Sequence, residues 1–152
     1  MIMNEKRRMT LLRNKELLRD YREKLHEAFE SDKPLNRKEI VRLVLLEGKP
    51  HYYVCFDHAY NIMMKLNTTG KVSKKTLLKQ QMWKEIHEKV KKMMSDNPGL
   101  AMHNALARVL VTERASRYYI SEVYAYRYLY KLCRENLGNR HDCGIGRVVS
   151  HQ

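Results

Sequence analysis

Residues 52–60, Tyr52-Tyr53-Val54-Cys55-Phe56-Asp57-His58-Ala59-Tyr60, recur in pattern as residues 118–126, Tyr118-Tyr119-Ile120-Ser121-Glu122-Val123-Tyr124-Ala125-Tyr126. Extended outward at a constant offset of 66, residues 39–66 lie against 105–132 without a gap. Eight positions are identical: Arg42/Arg108, Glu47/Glu113, Tyr52/Tyr118, Tyr53/Tyr119, Ala59/Ala125, Tyr60/Tyr126, Lys65/Lys131 and Leu66/Leu132. Chance at roughly one match in 16 gives about two over such a span, so the chain reads as two copies of one unit. Several other pairs agree in type, among them Ile40/Leu106, Leu43/Val109 and Met63/Leu129. A residue present in both copies is explained by the shared unit; a residue present in one is not.

The repetition continues upstream at offset 65, where Leu17–Leu25 faces Met82–Val90. Leu18, Tyr21, Leu25 and Phe29 recur at helical spacing, as do Met82, Ile86, Val90 and Met93, which predicts an amphipathic helix in each copy. Each ends in a breaker, Ser31-Asp32-Lys33-Pro34 or Ser95-Asp96-Asn97-Pro98. A shorter apolar segment follows, Arg37–Glu47 and His103–Glu113. The near-continuous run at Val41 and Leu43–Leu46 suits a buried strand, but the second copy is more helix-like, and both are read as helix. The connectors Gly48–Val54 and Arg114–Ile120 end in aromatic and β-branched residues, which predicts extended chain. Ser121 is a good helix N-cap and Cys55 a poorer equivalent. A third helix is expected over about 56–67 and 122–136.

The expected fold is therefore all-α: a tandem duplication of a trihelical unit, with a short aromatic extended connector before each third helix. Repeat one spans 11–67, a linker 68–73, and repeat two 74–137. Residues 1–10 read as a flexible basic arm and 138–152 as a flexible tail.

Composition narrows the function. The 152 residues carry 30 Lys and Arg against 17 Asp and Glu, a formal charge of +13 and a pI of about 9.8. Such a balance attracts polyanions: nucleic acid, an anionic membrane surface or an acidic protein. No apolar run approaches the roughly 20 residues of a membrane span, and the N-terminus has no apolar signal core. Three irregularly spaced cysteines argue against a disulfide framework and for a reducing, cytoplasmic setting.

The second helix, connector and third helix resemble the layout of a helix-turn-helix motif. The usual turn is about three or four residues with a Gly; this connector is about seven, and the second copy lacks the Gly. The resemblance implies that the third helix enters the major groove with its early residues near base edges. The exposed candidates are His58 and Asn61 in copy one, and Tyr124 and Arg127 in copy two. Lys65, Lys71, Lys74, Lys75, Arg117, Lys131 and Arg134 are the candidate phosphate contacts. They overlap a run of eight lysines from Lys71 to Lys92 that faces only Glu85 and Glu88. For any single lysine a solvated helical face is the simpler explanation; for the whole surplus it is weaker.

Other chemistries fare poorly. His51, Cys55 and His58 suggest ligands, but copy two has Arg117, Ser121 and Tyr124 there, so the shared unit does not require a metal. Cys133, His141 and Cys143 lack a zinc spacing. No phosphate-cradling Gly loop and no Ser/His/Asp or Cys/His signature is present, and Glu47/Glu113 is the only acidic pair shared in the strong block. One Tyr of each connector pair is expected to pack inward. The sequence thus points to a non-enzymatic nucleic-acid-binding protein without cofactor or metal, DNA before RNA, acting as a regulator or a phage or mobile-element accessory. The alternative is a helical protein-interaction or assembly module, with a protein partner or a second copy of the chain.

Overall fold

The computed structural model describes residues 4–31, 36–72 and 75–135. Lys74, Ser73, the Asp32–Pro34 breaker and the proposed tail 138–152 lie outside the described residues. Six helices follow in order: α1 (Glu5–Glu30), α2 (Arg37–Glu47), α3 (Phe56–Thr69), α4 (Leu77–Asp96), α5 (Met102–Thr112) and α6 (Glu122–Glu135). No strand occurs among the described residues, so the protein is all-α.

The ends of these helices follow from local chemistry. The Asn4 side chain accepts the Arg7 N–H at 2.8 Å, so α1 starts at Glu5. Residues 5–10, expected to form a loose arm, are therefore helical. Asn36 caps α2 through the N–H groups of Lys38 and Glu39, and Thr76 caps α4 through that of Lys79. The Ser121 hydroxyl accepts the Tyr124 N–H at 3.1 Å, whereas Cys55 makes no side-chain cap bond to α3. Gly70 closes α3 in the left-handed region at φ 70°, with its N–H on the Leu66 carbonyl; lacking a Cβ, it adopts that conformation without strain. The apolar run of α2 is a helix because its residues divide by face: Ile40, Val41, Val44 and Leu45 are buried, while Leu43 and Leu46 are exposed.

The chain forms two compact units that are not sequential halves. The first unit comprises residues 1–13 and 49–119; the second comprises 14–48 and 120–152. In the first, α3 packs against both α4 and α5, around Ala59, Ile62, Met63, Leu66, Met82, Trp83, Ile86, Val90, Leu106 and Val109. In the second, α6 packs against α2, and Leu17, Tyr21, Leu25, Ile40, Val41, Val44, Ala125 and Leu129 are buried. The Asn14 amide of α1 also bonds the Tyr128 hydroxyl of α6. Thus α3 packs with α4 and α5, which follow it in sequence, whereas α6 packs with α2. The compact units fall differently from a division near residues 68–73.

Buried positions recur along the sequence at two offsets. Leu17/Met82, Tyr21/Ile86, Leu25/Val90, Ile40/Ala105, Val41/Leu106 and Val44/Val109 are buried pairs at offset 65. Ala59/Ala125 and Met63/Leu129 are buried pairs at offset 66. The single extra residue falls in the second connector. Arg42 and Glu47 thus match Ala107 and Thr112 in helical register, and their identity with Arg108 and Glu113 carries no shared structural role. Leu17, not Leu18, leads the buried stripe of α1, and Phe29 is exposed.

Because α3 is locked into the core formed with α4 and α5, cutting the chain between α3 and α4 should not release it. With a specific protease site inserted after Gly70 in the full chain, the two cut pieces should co-elute in native gel filtration and part only in denaturant. Separation under native conditions would contradict the packing of α3 against α4 and α5.

Candidate nucleic-acid interface

The connectors are positioned by one carboxylate. Glu85 on α4 accepts the Tyr52 hydroxyl at 2.6 Å, the Tyr119 hydroxyl at 2.5 Å, the Ser116 hydroxyl, and the Ser116 N–H at 3.1 Å. Lys89, one turn along α4, lies 3.5 Å from the same carboxylate and donates to the Arg114 carbonyl at 2.6 Å. The connectors also bond directly, Ala115 N–H to the Pro50 carbonyl at 2.7 Å and Lys49 Nζ to the Ser116 carbonyl at 3.2 Å. Burial alone would push the Glu85 carboxyl up; hydrogen bonds from Ser116, Tyr119 and Tyr52 outweigh it and hold the carboxyl at about 2. Burial and the bond to Glu85 push the Tyr52 and Tyr119 hydroxyls up.

Tyr52 and Tyr118 are 4% and 1% exposed, so the first tyrosine of each pair packs inward. The second tyrosines are half-buried. Tyr53 stacks on Tyr118 with ring centroids 6.3 Å apart, and Tyr119 is held by Glu85. Tyr53 has φ 56°, so the first connector is not extended throughout. A bulky side chain in the left-handed region is strained by about 1–2 kcal/mol, here held by the ring contacts to Tyr118 and His51.

The third helices carry most of the sequence-selected residues on exposed faces. On α3, His58, Asn61 and Lys65 recur at spacings of three and four and are exposed. The His58 ring meets Trp83 of α4 edge-on at 5.5 Å. On α6, Tyr124, Arg127, Lys131 and Arg134 form the matching row and are exposed. Tyr124 packs on Tyr128 at 5.4 Å, and Arg134 lies over the Tyr130 ring at 5.8 Å. Arg127 and Tyr126 line a groove of about 310 Å³ with Lys38, Val41, Glu122 and Val123. Lys71 is exposed just after the α3 cap, and Lys75 is half-buried before α4. Arg117 is occupied by the connector: it donates to the Tyr118 carbonyl at 2.9 Å and lies over the Tyr119 ring.

Charge is unevenly divided. Residues 1–13 and 49–119 contain 17 Lys and Arg against 6 Asp and Glu; residues 14–48 and 120–152 contain 13 against 11. The basic surplus belongs to the first unit, not to the second sequence copy as such. In the second unit carboxylates pair with cations: Lys24 with Glu47 at 3.0 Å, Arg42 with Glu122 at 3.3 Å and Arg19 with Asp20 at 3.2 Å. Glu47 is thus an exposed ion-pair partner, and Glu113 is the C-cap position of α5.

Sequence reasoning passed over Glu85. Glu85 left a signal: at offset 65 it faces Asp20, an acid in both copies outside the strongest block. Among the described residues, no three His, Cys, Asp or Glu side chains group to hold a metal ion. Comparison with protein families, curated proteins and solved structures finds no match.

The folded-state carboxyl of Glu85 lies below its unfolded value of about 4.5, so its contribution to stability is complete above that pH. It is lost as pH falls from about 4.5 towards 2. The full linkage is reduced by partial solvent exposure to about 1–2 kcal/mol. Denaturant midpoints measured between pH 7 and pH 2.5 should show this loss. Glu85→Gln should lower the midpoint at pH 7 and flatten the acid limb; an unchanged acid limb in that variant would refute the assignment.

Proposed function

We propose that the protein binds nucleic acid, duplex DNA in the first instance, and does so without catalysis. The carrying observation is the concentration of charge, 17 Lys and Arg against 6 Asp and Glu, in the residues of one compact unit that also presents His58, Asn61 and Lys65 on an exposed helix face. Lysines and arginines at this density neutralise phosphates and release counterions, which gives affinity without sequence reading. The α6 row of Tyr124, Arg127, Lys131 and Arg134 adds aromatic and guanidinium groups suited to a second contact. In this reading the chain is a duplicated trihelical, helix-turn-helix-like unit whose third helices are exchanged. Both third-helix rows differ between copies, as two non-identical half-sites require. The role is occupancy of DNA in a reducing, cytoplasmic setting, as a regulator or accessory factor of a phage or mobile element. No helix among the described residues is long and apolar enough to cross a membrane.

A second reading has one observation in its favour. A groove of about 310 Å³ in the first unit is lined mainly by apolar groups, including Met9, Leu12, Val54, Phe56, Leu110 and Val111, and Val111 is 74% exposed. Such a groove suits an apolar side chain of a protein partner.

Gel shifts with random duplex DNA distinguish the readings. Affinity should fall steeply between low and moderate salt, and Lys65→Glu should weaken binding about 3- to 10-fold and reduce the salt slope by roughly one. Glu substitution at Lys24, which is already paired with Glu47, should change it far less. Absence of any shift at low salt would overturn the DNA reading and leave the apolar groove as the better guide.

A further inference from the structure

We propose that the groove between α2 and α6 of the second unit, lined by Lys38, Val41, Glu122, Val123, Tyr126 and Arg127, binds an unpaired nucleotide. The base stacks on the Tyr126 ring, and the flanking phosphates take Lys38 and Arg127. The assignment rests on the nucleic-acid reading and gives the α6 contact its ligand.

All six residues belong to the second unit, and α2 and α6 pack directly on each other. The backbone is fixed on both sides of the groove. Asn36 caps α2 through the Lys38 and Glu39 N–H groups, and Ser121 caps α6 through that of Tyr124. Val41 is buried and Val123 is 64% exposed, so the groove runs from core to surface. At about 310 Å³ it stands at the lower end of the roughly 300–1,000 Å³ of small-ligand sites. That is room for one ring and its charged groups rather than for a helix. Two bonds at 3.3 Å turn the Glu122 carboxylate to Arg42, and these two charges offset each other. Lys38 and Arg127 form no ion pair among the described residues, which leaves the groove two uncompensated cations.

The first unit shows what such a place holds when the chain fills it. There α3 packs on α5. Phe56 and Tyr60 of α3 stand 66 residues before Glu122 and Tyr126 of α6. The Phe56 and Tyr60 rings stack with centroids 6.2 Å apart, and both are partly buried against the core of that unit. On α6 the position of the Phe56 ring is held by Glu122, which is drawn to Arg42. Tyr126 has the Lys38 ammonium over its ring at 6.0 Å, the outer limit of a cation–π contact. A planar ring entering the groove replaces Lys38 on Tyr126 and presents its charge to the displaced ammonium. Every base has a π-face, so stacking on Tyr126 needs no particular sequence. A nucleotide within a strand is flanked by two phosphates, which match two cations better than the single carboxylate of a peptide end. The planar guanidinium of Arg127 suits a phosphate in particular.

Fluorescence anisotropy of the full chain with an end-labelled blunt duplex, and with the same duplex carrying a short single-stranded overhang, tests the groove. The overhang should be bound about 5- to 10-fold more tightly, the gain expected of one stacked base. Val123→Glu places a carboxylate in the groove from an exposed helix position and should remove most of that preference. Tyr126→Leu keeps apolar volume, loses the ring face and should do the same. Amide chemical shifts of the full chain are followed in parallel with adenosine monophosphate and, separately, with N-acetylphenylalanine. Equal affinity for the two duplexes, or a preference that Val123→Glu leaves intact, overturns the groove and leaves the nucleic-acid reading standing. Shifts at residues 38–41 and 122–127 with adenosine monophosphate, while neither duplex binds, support the groove as a nucleotide site and overturn that reading. Shifts there with N-acetylphenylalanine alone assign the groove to an aromatic peptide end and overturn the nucleotide. No shift with either ligand and no duplex bound overturns both.

Discussion

The Glu85 carboxylate organises the first unit. It is the common acceptor of two hydroxyls and one N–H from residues 116–119 and of one hydroxyl from Tyr52, so a single side chain on α4 fixes both connectors. Each donor is satisfied and the carboxylate is held ionised, the condition under which a half-buried acid stabilises its surroundings. The convergence also spends the carboxylate. With a pKa near 2 and every contact a donor, Glu85 is a poor base, and Ser116 beside it gains no nucleophilic character. The cluster that most resembles a catalytic constellation is an anchor.

Residues 49–55 and 113–119 both lie in the first unit, and each leads into a third helix. From there α3 enters the core of α4 and α5, while α6 joins α2. Ala59 and Ala125 are fully buried in their respective units. A consequence of this distribution is charge separation. The lysine-rich span 71–92 shares a unit with early α1 and α3, whereas the acids of α1 beyond residue 13 and those of α2 share one with α6.

Much of this was legible in the sequence, and the missing part has physical causes. Helical type, the Ser121 cap, the small residues at Ala59 and Ala125, and inward packing of one tyrosine per connector all depend on local periodicity and side-chain chemistry. Partner choice does not. A helix with Ala at its fourth position and apolar residues at helical spacing fits more than one partner, so nothing local specifies that α3 packs with α4 and α5 while α6 packs with α2. The one-residue difference between connectors was hidden because a gap-free offset of 66 gives the most identities, although burial follows 65 in the first two helices. Among the candidate site residues, exposure was readable from spacing on α3 and α6. The ring contacts of Arg117 with Tyr119 and of His58 with Trp83 arise only from tertiary packing.

Because the two units differ so strongly in charge, the account turns on where a polyanion lands. Amide chemical-shift mapping of the full chain with a short duplex DNA locates it directly. The account predicts the largest changes in residues 4–13, 56–69 and 75–84, with smaller changes along the exposed row of α6. Changes confined to residues 14–48, or no change at saturating DNA, would contradict it.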